Sequence, residues 1–315
     1  MKYPNHIPEK NGEGNGEVYH VPVMLKEAVD ALDVQPAGVY VDCTFGGGGH
    51  SREILRRLNE HGRLIAFDQD PAAKNNLPDD PRILFVPHNF RHLTRFLKLS
   101  QIEKVDGILA DLGVSSRQFD DAARGFSTRF EGPLDMRMDP HQSKTAAQIV
   151  QTYSQAQLHK MFEQFGEITN AKTLAAAIVQ QRGIIPLQSI QQFKQALHTV
   201  VKGNPHKYWA QVFQALRIEV NDELTSLQEL LMQMPEVLKS GGRAAIISFH
   251  SLEDRMVKKF FKEGTLQPVQ EDPFSREIKT PTFRVISRKP IEADPAEIKS
   301  NPRSRSARLR IAEKI

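Results

Sequence analysis

The chain has 315 residues, 39% of them hydrophobic and 25% charged, with a net charge of +4. This is a globular composition with length for one large or two smaller domains, and it excludes wholesale disorder. One cysteine, Cys43, excludes an internal disulfide and a four-cysteine zinc site; no apolar run nears the ~20 residues of a membrane span and the N-terminus has no apolar leader, so a cytoplasmic location is expected.

Residues 1–17 are rich in Gly, Asn and Glu without periodicity and read as a disordered lead-in. Met24, Leu25, Ala28, Val29 and Leu32 then fall at helical spacing. From there strands and helices alternate. The strands are Val39–Val41, Leu64–Phe67, Ile83–Val86 and Val105–Ala110, with helices over Ser51–Leu58 and Arg91–Leu99. This rhythm implies parallel pairing and a doubly wound α/β sheet. From about 124 to 215 the strand pattern stops. A Gly/Pro/Met loop precedes helical stretches, one N-capped by Ser154 and carrying Leu158, Met161, Phe162 and Phe165, another running from Asn170 to a stop at Gly183. The α/β pattern resumes with one long helix striped by Leu216, Val220, Leu224, Leu227, Leu231 and Leu238 and closed by Gly241-Gly242. Strands follow over Ala244–Phe249, Thr282–Ser287 and Ala307–Ala312. The expected organisation is an α/β domain over 18–123 and 216–315, interrupted by an all-helical insertion over 124–215.

The segment Asp42-Cys43-Thr44-Phe45-Gly46-Gly47-Gly48-Gly49-His50 links the first strand to the first helix. Glycines there let backbone approach a ligand. Asp42 would repel a pyrophosphate but attract a ligand bearing an ammonium and a sulfonium, which points to S-adenosylmethionine. Asp68, at the end of the second strand, is placed to accept both ribose hydroxyls of an adenosine. No Walker-type phosphate loop exists, so a P-loop NTPase is excluded. An NAD-dependent oxidoreductase on a similar fold is the second enzymatic class, with Asp42 against it. A non-catalytic RNA-binding protein is the third class. The loop after the fourth strand, Asp111-Leu112-Gly113-Val114-Ser115-Ser116-Arg117-Gln118, faces the reacting centre in this fold. Asp111 either orients an amine by accepting its N–H or binds the methionine end of the cofactor.

These strings resemble the bacterial small-subunit ribosomal RNA cytosine-N4 methyltransferases, the MraW/RsmH family, from His20 to Lys314. The motifs are HVPVM (20–24), TFG (44–46) with GGHS (48–51), DGIL (106–109) with DLGVSS (111–116), RGFS (124–127), GPLDMRMDP (132–140), FQALR (213–217) with VN (220–221), GGR (241–243), IISFHSLEDR (246–255), and NPR (301–303) with LR (309–310). The resemblance implies a Rossmann-like class I methyltransferase sheet with an inserted helical domain. It implies S-adenosylmethionine-dependent methylation of a decoding-region cytosine N4, the 16S ribosomal RNA position-1402 type. It also implies a substrate close to the assembled 30S particle, and it is compatible with a homodimer. Carried over by motif, the cofactor contacts are Gly48, Gly49, His50, Asp68, Phe90, Asp111 and Gln118, with Phe90 stacking on adenine. Segments 166–171 and 206–212 depart from the family pattern, each lacking an arginine.

Other candidates stand on the residues themselves. Tyr208, beside Lys202 and Lys207, has the chemistry to stack on and clamp a nucleotide, while Trp209 fits a core face with Phe213 and Leu216. His250, with Ser248 and Ser251, ends the fifth strand and either orients substrate or is structural. His88 and His92 lack the glutamate of a metalloprotease helix, and no metal is expected. The charge is segregated. Residues 141–215 carry seven lysines and arginines against two glutamates, and residues 301–310 carry four arginines, Arg303 and Arg305 among them, with no acid. Both segments are expected to meet phosphate.

Overall fold

In the computed structural model, residues 22–267 and 281–315 are described; the expected lead-in and the start of the first quoted motif lie outside them. Seven strands form one sheet in the order β3-β2-β1-β4-β5-β7-β6. β1 (Val39–Asp42), β2 (Arg63–Phe67), β3 (Ile83–Val86), β4 (Val105–Asp111) and β5 (Leu238–Ser248) are parallel. β7 (Arg308–Lys314) lies antiparallel between β5 and β6 (Phe283–Val285). All seven expected strands are present, and the sheet is doubly wound as expected.

Period-two alternation divides each strand between two cores. Val41, Ile65, Ile108, Ala110 and Ile246 point to one face and pack with Leu227, Leu231, Val257 and Phe260. Tyr40, Leu64, Leu109, Ala245 and Ile247 point to the other, onto Met24, Val29, Ile54 and Leu55. Both faces are covered, which is why the strands read as unbroken apolar runs. The winding reverses between β1 and β4. Their carboxyl ends, Asp42 and Asp111, therefore flank the crevice where open α/β sheets bind ligands.

A third core belongs to the insertion. Its helices span Ala146–Thr152, Gln155–Gly166, Ala171–Gln181, Ile190–Ala196 and Pro205–Asn221. Ser154 caps the second with a reciprocal Gln157 bond, and Thr145 and Ser189 cap their helices in the same way. Phe162, Phe193, Leu174 and Leu216 are fully buried here, and the core runs from Phe126 to Val220.

The single long helix expected across 216–238 is instead two. The first ends at Asn221, Asp222 takes a left-handed φ of 51°, and the second spans Glu223–Val237. The stripe continued through the break because Leu216 and Val220 serve the insertion core while Leu227 and Leu231 serve the sheet. The helix Pro205–Asn221 thus crosses the boundary expected at 215/216. Arg217 braces the corner with two bonds to Glu223, at 2.9 and 3.0 Å. Gly241-Gly242 do not close a helix; they lie within β5, where its register on β4 jumps, and Gly241 has a φ of +80°.

The C-terminal segment is tied down by charge. Arg310 donates to both oxygens of Asp254, at 2.6 and 3.0 Å, and both residues are buried. Burial alone would raise the Asp254 carboxyl, but Arg310 and Arg308 hold it below its ordinary value. Removing one partner of a buried pair leaves the other uncompensated. Asp254→Ala is therefore expected to destabilise the fold by about 3–5 kcal/mol in denaturant unfolding. A loss below about 1 kcal/mol would show that water or another acceptor reaches the buried guanidinium.

Candidate active site

The glycine loop is shaped by its own backbone and by two aspartates. Gly48, φ +74°, caps the helix Gly49–Arg57, and a side chain at Gly49 would meet Pro22 at 2.0 Å. Asp42 holds the loop from beneath: one carboxylate oxygen accepts the Thr44 N–H at 3.0 Å, the other the Ser51 hydroxyl at 2.7 Å. Asp42 is fully buried and does not line the cleft. The expectation that it faces a cationic ligand is corrected: both oxygens are engaged in folding the loop.

Above the loop opens a cleft of about 500 Å³. Asp68 lines one side. It accepts the N–H groups of Gly46 and Asp70, at 2.7 and 2.8 Å, and burial, with Asp70 and Asp42 nearby, pushes its pKa up to about 6. Phe90, half-buried, lines the same cleft and packs against the sheet core. Asp111 lines the far side. Its N–H donates to Thr44 Oγ1 at 2.7 Å, and Oδ1 is buried with no hydrogen-bond partner. Burial first, then the charges of Asp42, Glu253 and Glu297, raise its pKa well above the ordinary range. His50 lies beside it, Nδ1 4.0 Å from Asp111 Oδ2, with Nε2 3.1 Å from the Val23 carbonyl. Burial pushes His50 below its usual value against the pull of Asp42, so the ring is neutral at pH 7, carries its proton on Nε2 and turns a bare Nδ1 towards Asp111.

Gln118 also lines the cleft, but both ends of its amide have partners. Oε1 accepts the Ser115 N–H at 3.0 Å, and Nε2 donates to Asp70 Oδ2 at 2.8 Å. The expected direct cofactor contact becomes a wall contact. Sequence reasoning missed the residue behind it: Arg124 donates to the same Asp70 oxygen at 2.8 Å and to the carbonyls of Arg137 and Met138. The only sequence signal was the RGFS string following the cleft loop.

The remaining expected site residues scatter. His250 does not line the cleft; its Nδ1 caps the helix Ser251–Glu263 through the Glu253 N–H, and Nε2 lies 3.2 Å from Glu253 Oε1 without hydrogen-bond alignment. Glu223, His250 and Glu253 lie close enough to hold a cation, but the Arg217 guanidinium already occupies Glu223. Tyr208 is not available to stack on a base. It is buried in the insertion core, edge-on to Trp209 with centroids 5.9 Å apart. Lys202 and Lys207 are exposed on the insertion, away from the cleft lining. Of the tail arginines, Arg303 reaches the cleft, Arg305 is exposed outside it, and Arg308 and Arg310 join Asp254.

The donor set discriminates among cofactors. A pyrophosphate would face the Asp68 and Asp111 carboxylates. A nucleoside linked to a cationic amino-acid group meets an acceptor pair at Asp68, an aromatic face at Phe90 and an orphaned carboxylate oxygen at Asp111. S-adenosylmethionine fits these residues. The description "MraW methylase family" matches residues 17–315. The chain belongs to that family. It is 52% identical to Ribosomal RNA small subunit methyltransferase H of Bacteroides thetaiotaomicron, over 94% of this chain and 97% of the relative. It is 50% identical to the protein of the same name from Cytophaga hutchinsonii, over 94% and 100%. Likeness to solved structures is distant. TrmN of Thermus thermophilus has a TM-score of 0.42 at 13% identity, over 93% of this chain and 48% of that one. Aeropyrum pernix fibrillarin with natively bound S-adenosyl-L-methionine has a TM-score of 0.36 at 12% identity, over 91% and 73%.

For this MraW methylase, Asp68 sets a pH dependence. If ribose hydroxyls donate to this carboxylate, as the motif resemblance implies, binding favours its deprotonated form and releases a proton below the free-protein value. Affinity for S-adenosylhomocysteine should be constant above the pKa of about 6 and fall as pH drops through it, by up to about tenfold per unit. Calorimetric titration across that range checks it; Asp68→Asn should bind weakly and remove the Asp68 contribution to the slope.

Proposed function

We propose that this chain methylates the exocyclic N4 amine of a cytosine in the decoding region of small-subunit ribosomal RNA, with S-adenosylmethionine as methyl donor. The observation that carries the reading is Asp111: a carboxylate at the end of β4, in the cleft, with one buried oxygen lacking a partner. Near-full-length similarity to proteins named Ribosomal RNA small subunit methyltransferase H supports the RNA substrate. The motif string supports the cytosine amine.

Bound in the cleft, S-adenosylmethionine supplies an electrophilic methyl on a sulfonium, a donor that needs alignment of its acceptor rather than a strong base. Asp111 Oδ1 accepts one N–H of the amine. That bond turns the nitrogen lone pair, otherwise delocalised into the ring, towards the donor. In its ionised form Asp111 is the acceptor for the proton the amine must lose. Asp68 and Phe90 hold the adenosine end, the glycine loop the amino-acid end. The target base must be unstacked to enter, at a cost of a few kcal/mol that is smallest in irregular RNA. The exposed Lys202 and Lys207 offer positive charge to RNA outside the cleft, with an assembled or nearly assembled 30S particle as the proposed substrate.

Asp111→Asn is expected to lower kcat/KM on small subunits by about 100-fold or more, with S-adenosylhomocysteine affinity changed by less than about threefold. Methyl incorporation, mapped by nucleoside mass spectrometry, reads the first and calorimetry the second. Unchanged turnover would remove Asp111 from the chemistry, and a parallel loss of cofactor affinity would assign it to the methionine ammonium instead.

A further inference from the structure

The interior of the cleft is acidic, but its rim carries two arginines from distant parts of the chain. Arg117 belongs to the short helix Ser116–Asp120. It is exposed, lines the cleft, and its guanidinium makes no hydrogen bond or ion pair among the described residues. Arg303 comes from the C-terminal segment and lines the same cleft. Its Nη2 donates to Asp120 Oδ1 at 2.6 Å, and its guanidinium carbon lies 4.9 Å from the centroid of the Phe119 ring. Its Nη1 is buried and has no hydrogen-bond partner. Asp120 holds Arg303 in place and balances only one of the two positive charges. Arg303 is thus preorganised, with donor capacity left unmatched, against the same short helix that carries the unpaired Arg117.

We propose that Arg117 and Arg303 form a phosphate clamp at the cleft mouth, holding the backbone phosphate next to the cytosine presented to Asp111. The inference rests on the RNA-methylating reading above and adds to it the residues that place the target nucleotide. The charge layout dictates the orientation. The cationic and hydroxyl-bearing groups of the cofactor belong with Asp111 and Asp68 inside; an anionic group belongs at the rim. A nucleotide whose base amine points inward leaves its phosphate outside, and a guanidinium fork matches phosphate oxygens in pairs. The other anionic source in the cleft is the methionine carboxylate of the cofactor, and the experiment separates the two.

Arg117→Gln and Arg303→Gln would be compared with the unaltered full-length protein in three measurements: methyl incorporation into small ribosomal subunits, calorimetric binding of S-adenosylhomocysteine, and the salt dependence of binding to small-subunit RNA. Each variant should raise KM for subunits by about tenfold while kcat changes by less than about threefold. S-adenosylhomocysteine affinity should stay within about twofold, and the slope of log affinity against log salt should fall by about one for Arg117→Gln. Arg117 is exposed and unpaired, so its replacement leaves the fold intact. Arg303→Lys, which keeps the charge towards Asp120 but loses the fork, should recover only part of the KM effect. An unchanged KM and salt slope would overturn the clamp. A loss of S-adenosylhomocysteine affinity would overturn it in favour of the methionine carboxylate. If the unaltered protein placed no methyl on cytosine, the underlying reading would fail, while the salt slope would still decide whether these arginines meet phosphate.

Discussion

Burying a carboxylate without a matching donor is among the costlier things a fold can do, and this fold places several at one edge of its sheet. Asp42, Asp68 and Asp111 end three adjacent parallel strands, and Asp70 follows two residues behind. Each solves the problem differently. Asp42 is satisfied by the loop it shapes, Asp68 by two backbone N–H groups, and Asp70 by Gln118 and Arg124. Asp111 alone keeps a buried oxygen unmatched. The gradient from engaged to unengaged carboxylates defines the chemistry of the cleft. It is satisfied on the Asp68 and Asp70 side and unsatisfied at Asp111.

One of these carboxylates attaches the insertion. Asp70 accepts from Arg124, whose other nitrogen donates to the carbonyls of Arg137 and Met138. Asn221 grips that segment from the other side: its amide oxygen accepts the Met138 N–H at 2.7 Å and its nitrogen donates to the Met136 carbonyl at 2.8 Å. Gln69, between the two cofactor-side aspartates, reaches the Met138 sulfur at 3.1 Å. The GPLDMRMDP segment is therefore a hinge plate between the nucleoside site and the helical unit. Its backbone is fixed by side chains from both, so the cleft and the helical unit share one frame of reference.

Much of this was legible in the sequence. Apolar strands ending in aspartate, interrupted by a strandless helical stretch, specify a doubly wound sheet with an insertion, because parallel strands buried on both faces leave an unmistakable pattern. What sequence could not supply was the direction of individual side chains. Asp42 and Asp111 have the same local setting, strand end before a loop, yet one is fully buried beneath the loop and the other borders the cleft. Tyr208 lies next to Lys207 in sequence, but helical periodicity turns it inward while Lys207 is exposed. His250 follows the fifth strand in sequence, but caps its own helix. The break at Asp222 was masked because the leucine spacing on either side is in phase while serving different cores.

Charge counting was the least transferable reading, and the reason is physical. Four arginines in ten residues look like a nucleic-acid tail, yet Arg308 and Arg310 converge on one aspartate and Arg303 is held by another. A basic segment that folds back into a sheet must neutralise itself, because a guanidinium in the interior is tolerable only when paired. Arg303 is the case where this neutralisation is incomplete: one nitrogen is held by Asp120 and the other left without an acceptor. Such partial pairing leaves a guanidinium held in place with donor capacity to spare. A fully free arginine would have to be ordered on binding, and a fully paired one would have nothing left to offer.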